Sequence, residues 1–355
     1  MEFFCSRKHS LFKADLPPYI EDKYHPLFAA RAEFSVPELF VKEYKNVFVS
    51  HEGLCLQNGR LLPFSSFNIC TRYDNSFGIK YYKLVWEQYL VSTYGKSLKK
   101  IPVDAATLYT IIHTKWFNYS FWITSSLSRL LMACDTGKAF VLIYPEGWDA
   151  QPYIRQSLQA FPGIKTLRIS DGIHVSVPRL LLPEVRPFTA CFNGEYLKKT
   201  ADHLISHIPE NLKSRDFPSR IYLTRSNAKY RKVVNESALV EVLDNYGFTV
   251  VDFDILDFWQ QVAYMHHAEC FVSAHGAGMA NIMFMKPHAR VFELTPIPDD
   301  PKDFHCPYWI MAEALGLDYN IAFCESVNKE IANVYLRDIL VDIKSFQKIC
   351  KRIFK

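Results

Sequence analysis

Two arginines, a histidine among small residues and one acid inside an apolar run are the groups in this chain best suited to chemistry. Arg225 ends the β-rich run 219–224, beside Thr224, and Arg231 follows in the same loop. A guanidinium fork matches two phosphate oxygens, and its charge neutralises charge appearing on a departing diphosphate. Farther on, His275-Gly276-Ala277-Gly278 joins an apolar run at 270–274 to a helix-like segment at 279–285 that carries Asn281. The glycines let the backbone approach a ligand, and free N–H groups at a helix start favour an anion. His275 adds a donor at the strand end. Glu293 lies in the next β-rich run, 290–294, where a carboxylate commonly takes ribose hydroxyls. Together these residues suit a nucleoside diphosphate. An isolated HGAG also reads as a tight turn beside a core histidine.

The elements that must position these groups alternate between strand and helix. Strand, glycine turn, helix and strand over 269–296 form one parallel βαβ unit. Before it come a strand at 219–224, a helix starting at Asn235, a strand at 248–252 and a helix at 257–268; after it come a helix at 307–315 and a strand at 318–321. Residues 101–190 repeat the alternation, with strands at 108–113, 140–144 and 166–169, helices at 118–134 and 151–160, and a β-rich stretch at 175–182. Short β-like runs at 47–49 and 53–56 suggest an antiparallel entry region. The expected class is α/β: two Rossmann-like domains facing a cleft. The boundary falls near Phe192, giving an acceptor-side domain at 1–191, a nucleotide-binding domain at 192–340 and a tail at 341–355.

That tail has Phe346, Ile349, Cys350, Ile353 and Phe354 on one helical face and lysines on the rest. Such a basic amphipathic helix either makes peripheral contact with an anionic membrane or packs back across the first domain.

Composition narrows the class. A net charge of +4, without an extended basic block or a recognised motif, gives no case for nucleic acid. The nine cysteines are odd in number and never spaced CxxC, which suits reduced thiols in a cytoplasmic protein. No apolar run reaches membrane-span length, and the N-terminus carries no signal-peptide pattern. His266, His267 and Cys270 do not make a metal site, because adjacent histidines point to different helix faces. No metal or other cofactor is expected.

The order of these segments resembles glycosyltransferase family 61, the DUF563-type proteins. The run Arg220-Ile221-Tyr222-Leu223-Thr224-Arg225, then Arg231 and Asn235-Glu236, is similar to the family's run, and the HGAG turn follows in the same order. The opening Asn118-Tyr119-Ser120-Phe121-Trp122 through Ser128-Arg129-Leu130 is similar to its "N-Y-Y-H-W…P-R-L" segment. The resemblance implies a GT-B-like fold and metal-independent, inverting transfer from a nucleotide sugar, suggested to be UDP-linked, to a hydroxyl. Donor contacts would come from Thr224, Arg225, Arg231, His275, Gly276, Ala277, Gly278, Asn281 and Glu293. Asn118 and Trp122 would lie on the acceptor side, and Arg225 would act on the leaving group. Without a leader, the chain resembles a bacterial cytosolic member, membrane-associated at most. Its acceptor would be a glycan or lipid-linked glycan, as in capsular or other surface-polysaccharide synthesis.

One departure matters. The family's histidine position holds Phe121 and its usual acid position Ser125, and neither can take an acceptor proton unaided. His113, at a strand end, is the first replacement base, followed by Glu146 and Asp171; each also reads as a core histidine or a cap. Two alternatives therefore stand beside the transferase: an inactive protein that binds nucleotide sugar or glycan, and a nucleotide-sugar epimerase.

Overall fold

The computed structural model describes residues 9–37, 39–62, 103–114, 118–171, 173–184 and 192–354; readings that fall on 63–102 lie outside them. The described chain opens with two short paired strands, β1 (His9–Lys13) and β2 (Glu33–Pro37), with helix α1 (His25–Ala29) between them. Packing divides the chain into two compact units. One contains Pro37–Tyr196, the other His9–Val36 with Leu197–Lys355. Residues 9–36 thus fold with the second unit, where the sequence had placed them with the first. Phe28 shows why: it is wholly buried against Phe304, Trp309 and Phe323, and the Trp309 indole N–H donates to the Asp15 carbonyl (3.0 Å). Those partners lie at the far end of the chain, beyond any local pattern.

The first unit is built on one sheet. Its strands are β3 (Val41–Val49), β4 (Cys55–Gln57), β5 (Arg60–Leu61), β6 (Tyr109–Ile111), β7 (Val141–Pro145), β8 (Lys165–Ile169) and β9 (Val175–Pro183), in the order β5-β4-β3-β9-β6-β7-β8. Strands β9, β6, β7 and β8 run parallel, and β3, β4 and β5 are antiparallel. Only part of this sheet is therefore Rossmann-like, and the expected antiparallel entry region is built into it. The β3–β9 ladder skips one pair, where Asn46 (φ 53°) faces Pro178, which has no N–H to donate. Helices α2 (Leu127–Cys134) and α3 (Pro152–Ser157) follow β6 and β7.

The helix expected at 118–134 is not uniform. Asn118 Oδ1 caps its start by accepting from the Phe121 N–H (2.9 Å), and Trp122–Ser126 forms a π turn before α2.

The second unit positions the arginines. Its strands β10 (Arg220–Leu223), β11 (Thr249–Val251), β12 (Cys270–Ala274), β13 (Arg290–Pro296), β14 (Asp318–Ser326) and β15 (Ile339–Leu340) are ordered β11-β10-β12-β13-β14-β15, all parallel except β15. Every residue of β12 is buried, as a parallel strand covered on both faces requires, and this explains its unbroken apolar run. Helices α4 (Gly194–Ser206), α5 (Glu236–Asp244), α6 (Phe258–His267), α7 (Pro307–Leu315) and α8 (Ile343–Ile353) surround this unit's strands in the sequence. Asp257 and Gln260 close a capping box at the start of α6, a signal already present in the sequence.

The order reverses at β10. The chain passes from β10 to β11 on one side, then crosses to β12 on the other. Open α/β sheets bind ligands outside the carboxyl ends of the strands at such a switch point. Here those ends carry Arg225 and His275.

The tail corrects its expectation. Helix α8 packs by its apolar face into the second unit and does not leave that face free for lipid. Phe346, Cys350, Ile353 and Phe354 are buried in the second unit's core with Leu239, Leu243, Phe248 and Phe292. The apolar stripe that suggested a membrane is a core stripe, and the lysines cover its solvent side.

Candidate active site

Arg225 leaves β10 directly, and Arg231 stands in the loop before α5. That loop is held rigidly. The Glu236 carboxylate accepts from both the Tyr222 hydroxyl and the Thr224 hydroxyl (2.7 Å each), and Thr224 Oγ1 accepts from the Ser226 N–H (3.1 Å). Asn235 makes no side-chain cap on α5. Instead it exchanges two hydrogen bonds with the Val341 backbone (2.8 and 3.0 Å). Lys232 N–H donates to Asp338 (2.8 Å), and Val233 forms a bridge with Ile339. Between these anchors Arg231 is kept at φ 65°, a left-handed conformation that costs a non-glycine residue energy and persists only where its surroundings impose it. Thr224, expected at the donor, has its hydroxyl committed to this scaffold.

The two guanidiniums meet at Gly276. A Cβ at that position would lie 2.7 Å from Arg225 Nη1 and 3.6 Å from Arg231 Nη1, so the missing side chain is the space that the arginines occupy. Gly278 serves packing instead: a Cβ there would meet Leu223 Cδ2 at 2.7 Å. Among the described residues neither arginine has a carboxylate at ion-pair distance. Arg225 Nη2 reaches only the Tyr230 carbonyl (3.2 Å), and its Nε is buried without a partner. Burial and the neighbouring Arg231 lower the Arg225 pKa from its ordinary value, and burial lowers that of Arg231. Two cations held together without an anion repel, and a bound dianion relieves that repulsion.

The turn adds donors. The segment Ala277–Phe284 is a 3-10 helix rather than the expected α-helix, and the amides of Gly276, Ala277 and Gly278 have no acceptor among the described residues. Asn281, expected at the donor, is wholly buried and pins the turn by donating to the Gly278 carbonyl (3.1 Å).

Glu293 is not free for a ribose. It is 1% exposed, and both oxygens are engaged, one by His275 Nδ1 and the other by the Tyr319 hydroxyl. Spacing alone shows an acid in a strand but not the groups that reach it across β12 and β14. The His275 ring packs between Tyr308 and Tyr335, with centroids 5.3 and 5.0 Å away. Tyr308, which the sequence reading missed, also lies close to both arginines. Its one sequence signal is an aromatic residue in the first turn of a helix opened by Pro307.

In the first unit, His113 is a core histidine. It is fully buried, and its Nε2 donates to the His51 carbonyl (3.1 Å). Burial and the adjacent Arg129 charge push its pKa down to about 3. A group so enclosed cannot take a proton from an acceptor, and its candidacy as a base is withdrawn.

The depressed pKa has a measurable consequence. Folded His113 resists the proton that the unfolded chain accepts near pH 6.5, so its stabilising contribution is complete above that pH. It is lost as pH falls toward 3, at about 1.4 kcal/mol per pH unit. Unfolding free energy measured between pH 6.5 and 5 should fall more steeply in the wild type than in His113→Gln.

Trp122, expected on the acceptor side, is 2% exposed with its indole N–H bonded to Ser157 Oγ (2.9 Å). Asn118 is exposed, with its oxygen used as a cap. Arg129, in the family-like segment, is buried and ties the carbonyls of His113 (3.2 Å) and Pro183 (3.0 Å), which follow and end the adjacent strands β6 and β9. Glu146 and Asp171 are exposed at the carboxyl ends of β7 and β8. Ser170 donates to Glu146, and Asp171 lies 3.8 Å from His51 Nδ1, a neighbour the sequence did not suggest.

Among the described residues, the switch point of this parallel sheet gathers two arginines without a carboxylate partner and a glycine turn whose amides have no acceptor, an arrangement suited to an anion in an α/β unit. The glycosyltransferase 61 family profile matches residues 9–292, and the chain belongs to that family. Its relatives include the EGF domain-specific O-linked N-acetylglucosamine transferase of Pan troglodytes, 22% identical over 315 residues, covering 86% of this chain and 49% of the relative. The transferase of the same name from Bos taurus is 25% identical over 213 residues (56% and 36%), and that from Drosophila melanogaster 25% over 166 residues (41% and 32%). The chain spans about half the length, or less, of these curated relatives.

Proposed function

We propose that this chain is an inverting glycosyltransferase that takes its sugar from a nucleotide-sugar donor and passes it to a hydroxyl of a glycan. The observation that carries the reading is a pair of half-buried guanidiniums gathered with three amides at a sheet switch point, with no carboxylate or acceptor for them among the described residues. The donor's diphosphate fits between Arg225, Arg231 and the 276–278 turn. In the transfer the acceptor oxygen bonds to the anomeric carbon from the face opposite the leaving group, and the carbon–oxygen bond to the diphosphate breaks. The electron pair goes to the diphosphate, where the arginines balance it without a metal ion. The acceptor proton goes to a base of the first unit, either the exposed Glu146 or the part-buried His51 oriented by Asp171. A GT-B arrangement, with the units facing across a cleft, is part of this proposal.

The name shared by the relatives makes UDP-N-acetylglucosamine the first donor to test. The glycan acceptor is a growing surface polysaccharide or its lipid-linked form, and a protein hydroxyl is the second reading, from what those relatives are named for. Cys134, Cys270, Cys306, Cys324 and Cys350 are free thiols, which supports a cytoplasmic setting.

The test is UDP release from UDP-N-acetylglucosamine and other UDP-sugars in EDTA, with and without glycan or EGF-like protein acceptors. Acceptor-dependent release is the expected result. Conversion of the donor alone would identify an epimerase, and binding without turnover an inactive binder; either would overturn the proposal. Gly276→Ala should leave stability within about 1 kcal/mol, because the Cβ meets only the movable ends of the Arg225 and Arg231 side chains, closely so at Arg225. By displacing that guanidinium it should weaken UDP binding, measured by calorimetry, about tenfold.

A further inference from the structure

The carboxylate of Glu293 sits in the second unit's core with both oxygens used, an arrangement that is costly unless its partners need it. A carboxylate only accepts, so the hydrogen between it and the imidazole belongs to His275 Nδ1. Nε2, across the ring, points away from the buried acid, and the bond to Glu293 is the ring's one hydrogen bond among the described residues. Tyr319 holds the other carboxylate oxygen. Its burial, with Glu293 beside it, raises the phenol pKa well above the ordinary value, which keeps the hydroxyl a donor. Tyr308 and Tyr335 pack against the ring, and His275 immediately precedes the glycine at which the two arginines meet.

We propose that Glu293 is a positioning residue: with Tyr319 it fixes the orientation and tautomer of His275, so that Nε2 faces the diphosphate beside Arg225 and Arg231. The inference rests on the donor-site reading above and deepens it. The acid once expected to touch the nucleotide acts on it through the imidazole.

A double-mutant cycle on UDP affinity tests this, because residues that act through one another are non-additive. His275→Ala is expected to weaken UDP about tenfold, and Glu293→Gln, which keeps the shape and removes the charge, by a similar factor. The double variant should be no weaker than His275→Ala alone. If Glu293→Gln weakens UDP equally with and without His275, or in neither background, the relay is wrong. A second measurement uses the wild type only. In ¹⁵N-histidine-labelled protein, His275 Nδ1 should carry hydrogen and Nε2 should shift on adding UDP. A bare Nδ1, or an Nε2 insensitive to bound UDP, overturns the proposal without any variant having to fold. The two readings fail differently. If UDP binds the wild type, is lost in Arg225→Ala and is unaffected in His275→Ala, the donor site stands and the relay falls. If UDP does not bind the wild type, both fall.

Discussion

Arg225→Ala is expected to lower kcat/KM for the nucleotide sugar by about 10²- to 10³-fold, the cost of removing one preorganised donor from developing negative charge. The fold should hardly notice. Arg225 has no carboxylate partner among the described residues, makes one 3.2 Å bond to a carbonyl, and sits beside a second cation that disfavours its charge. Removing it relieves repulsion in the free protein, so the unfolding free energy should change by about 1 kcal/mol or less. Steady-state UDP release with the preferred acceptor, run beside equilibrium denaturation, separates the two effects. A variant that loses stability and keeps its turnover would make Arg225 a scaffold residue.

Trp122→Ala should do the reverse. The side chain is 2% exposed, its indole N–H is bonded to Ser157, and its ring meets Trp148 edge-on at 6.1 Å. Truncation removes a large packed surface and one partner of a buried hydroxyl, at an expected cost of about 3–5 kcal/mol in the first unit's stability. Urea denaturation should show the loss, with the acceptor KM unchanged wherever the protein remains folded. Unchanged stability with a raised acceptor KM would restore the acceptor-side role first expected of this residue.

The contrast shows what was legible in the sequence. The β12 turn and its flanking strands could be read because parallel strands buried on both faces are apolar throughout, and Asp257 marked the start of α6. Arg225 and Arg231 could be proposed because a strand end followed by a short loop leaves few places for a long side chain. The chemistry of Glu293 was hidden, since it depends on Tyr319 from β14 and His275 from beyond β12. His113 stood at a strand end as expected, but the 50–54 turn covers it so closely that a Cβ at Gly53 would lie 2.4 Å from the His113 carbonyl oxygen. The tail's stripe was seen correctly and its partner was not, because amphipathicity states that a face is covered without stating by what. Residues 9–36 were misplaced for the same reason.

The central claim is that the diphosphate of a nucleotide sugar lies between Arg225, Arg231 and the 276–278 turn. A crystal structure with UDP tests it most directly. The account predicts phosphate oxygens within hydrogen-bond distance of both guanidiniums and of amides in that turn. UDP bound elsewhere, with the arginines still facing each other across empty space, would contradict it.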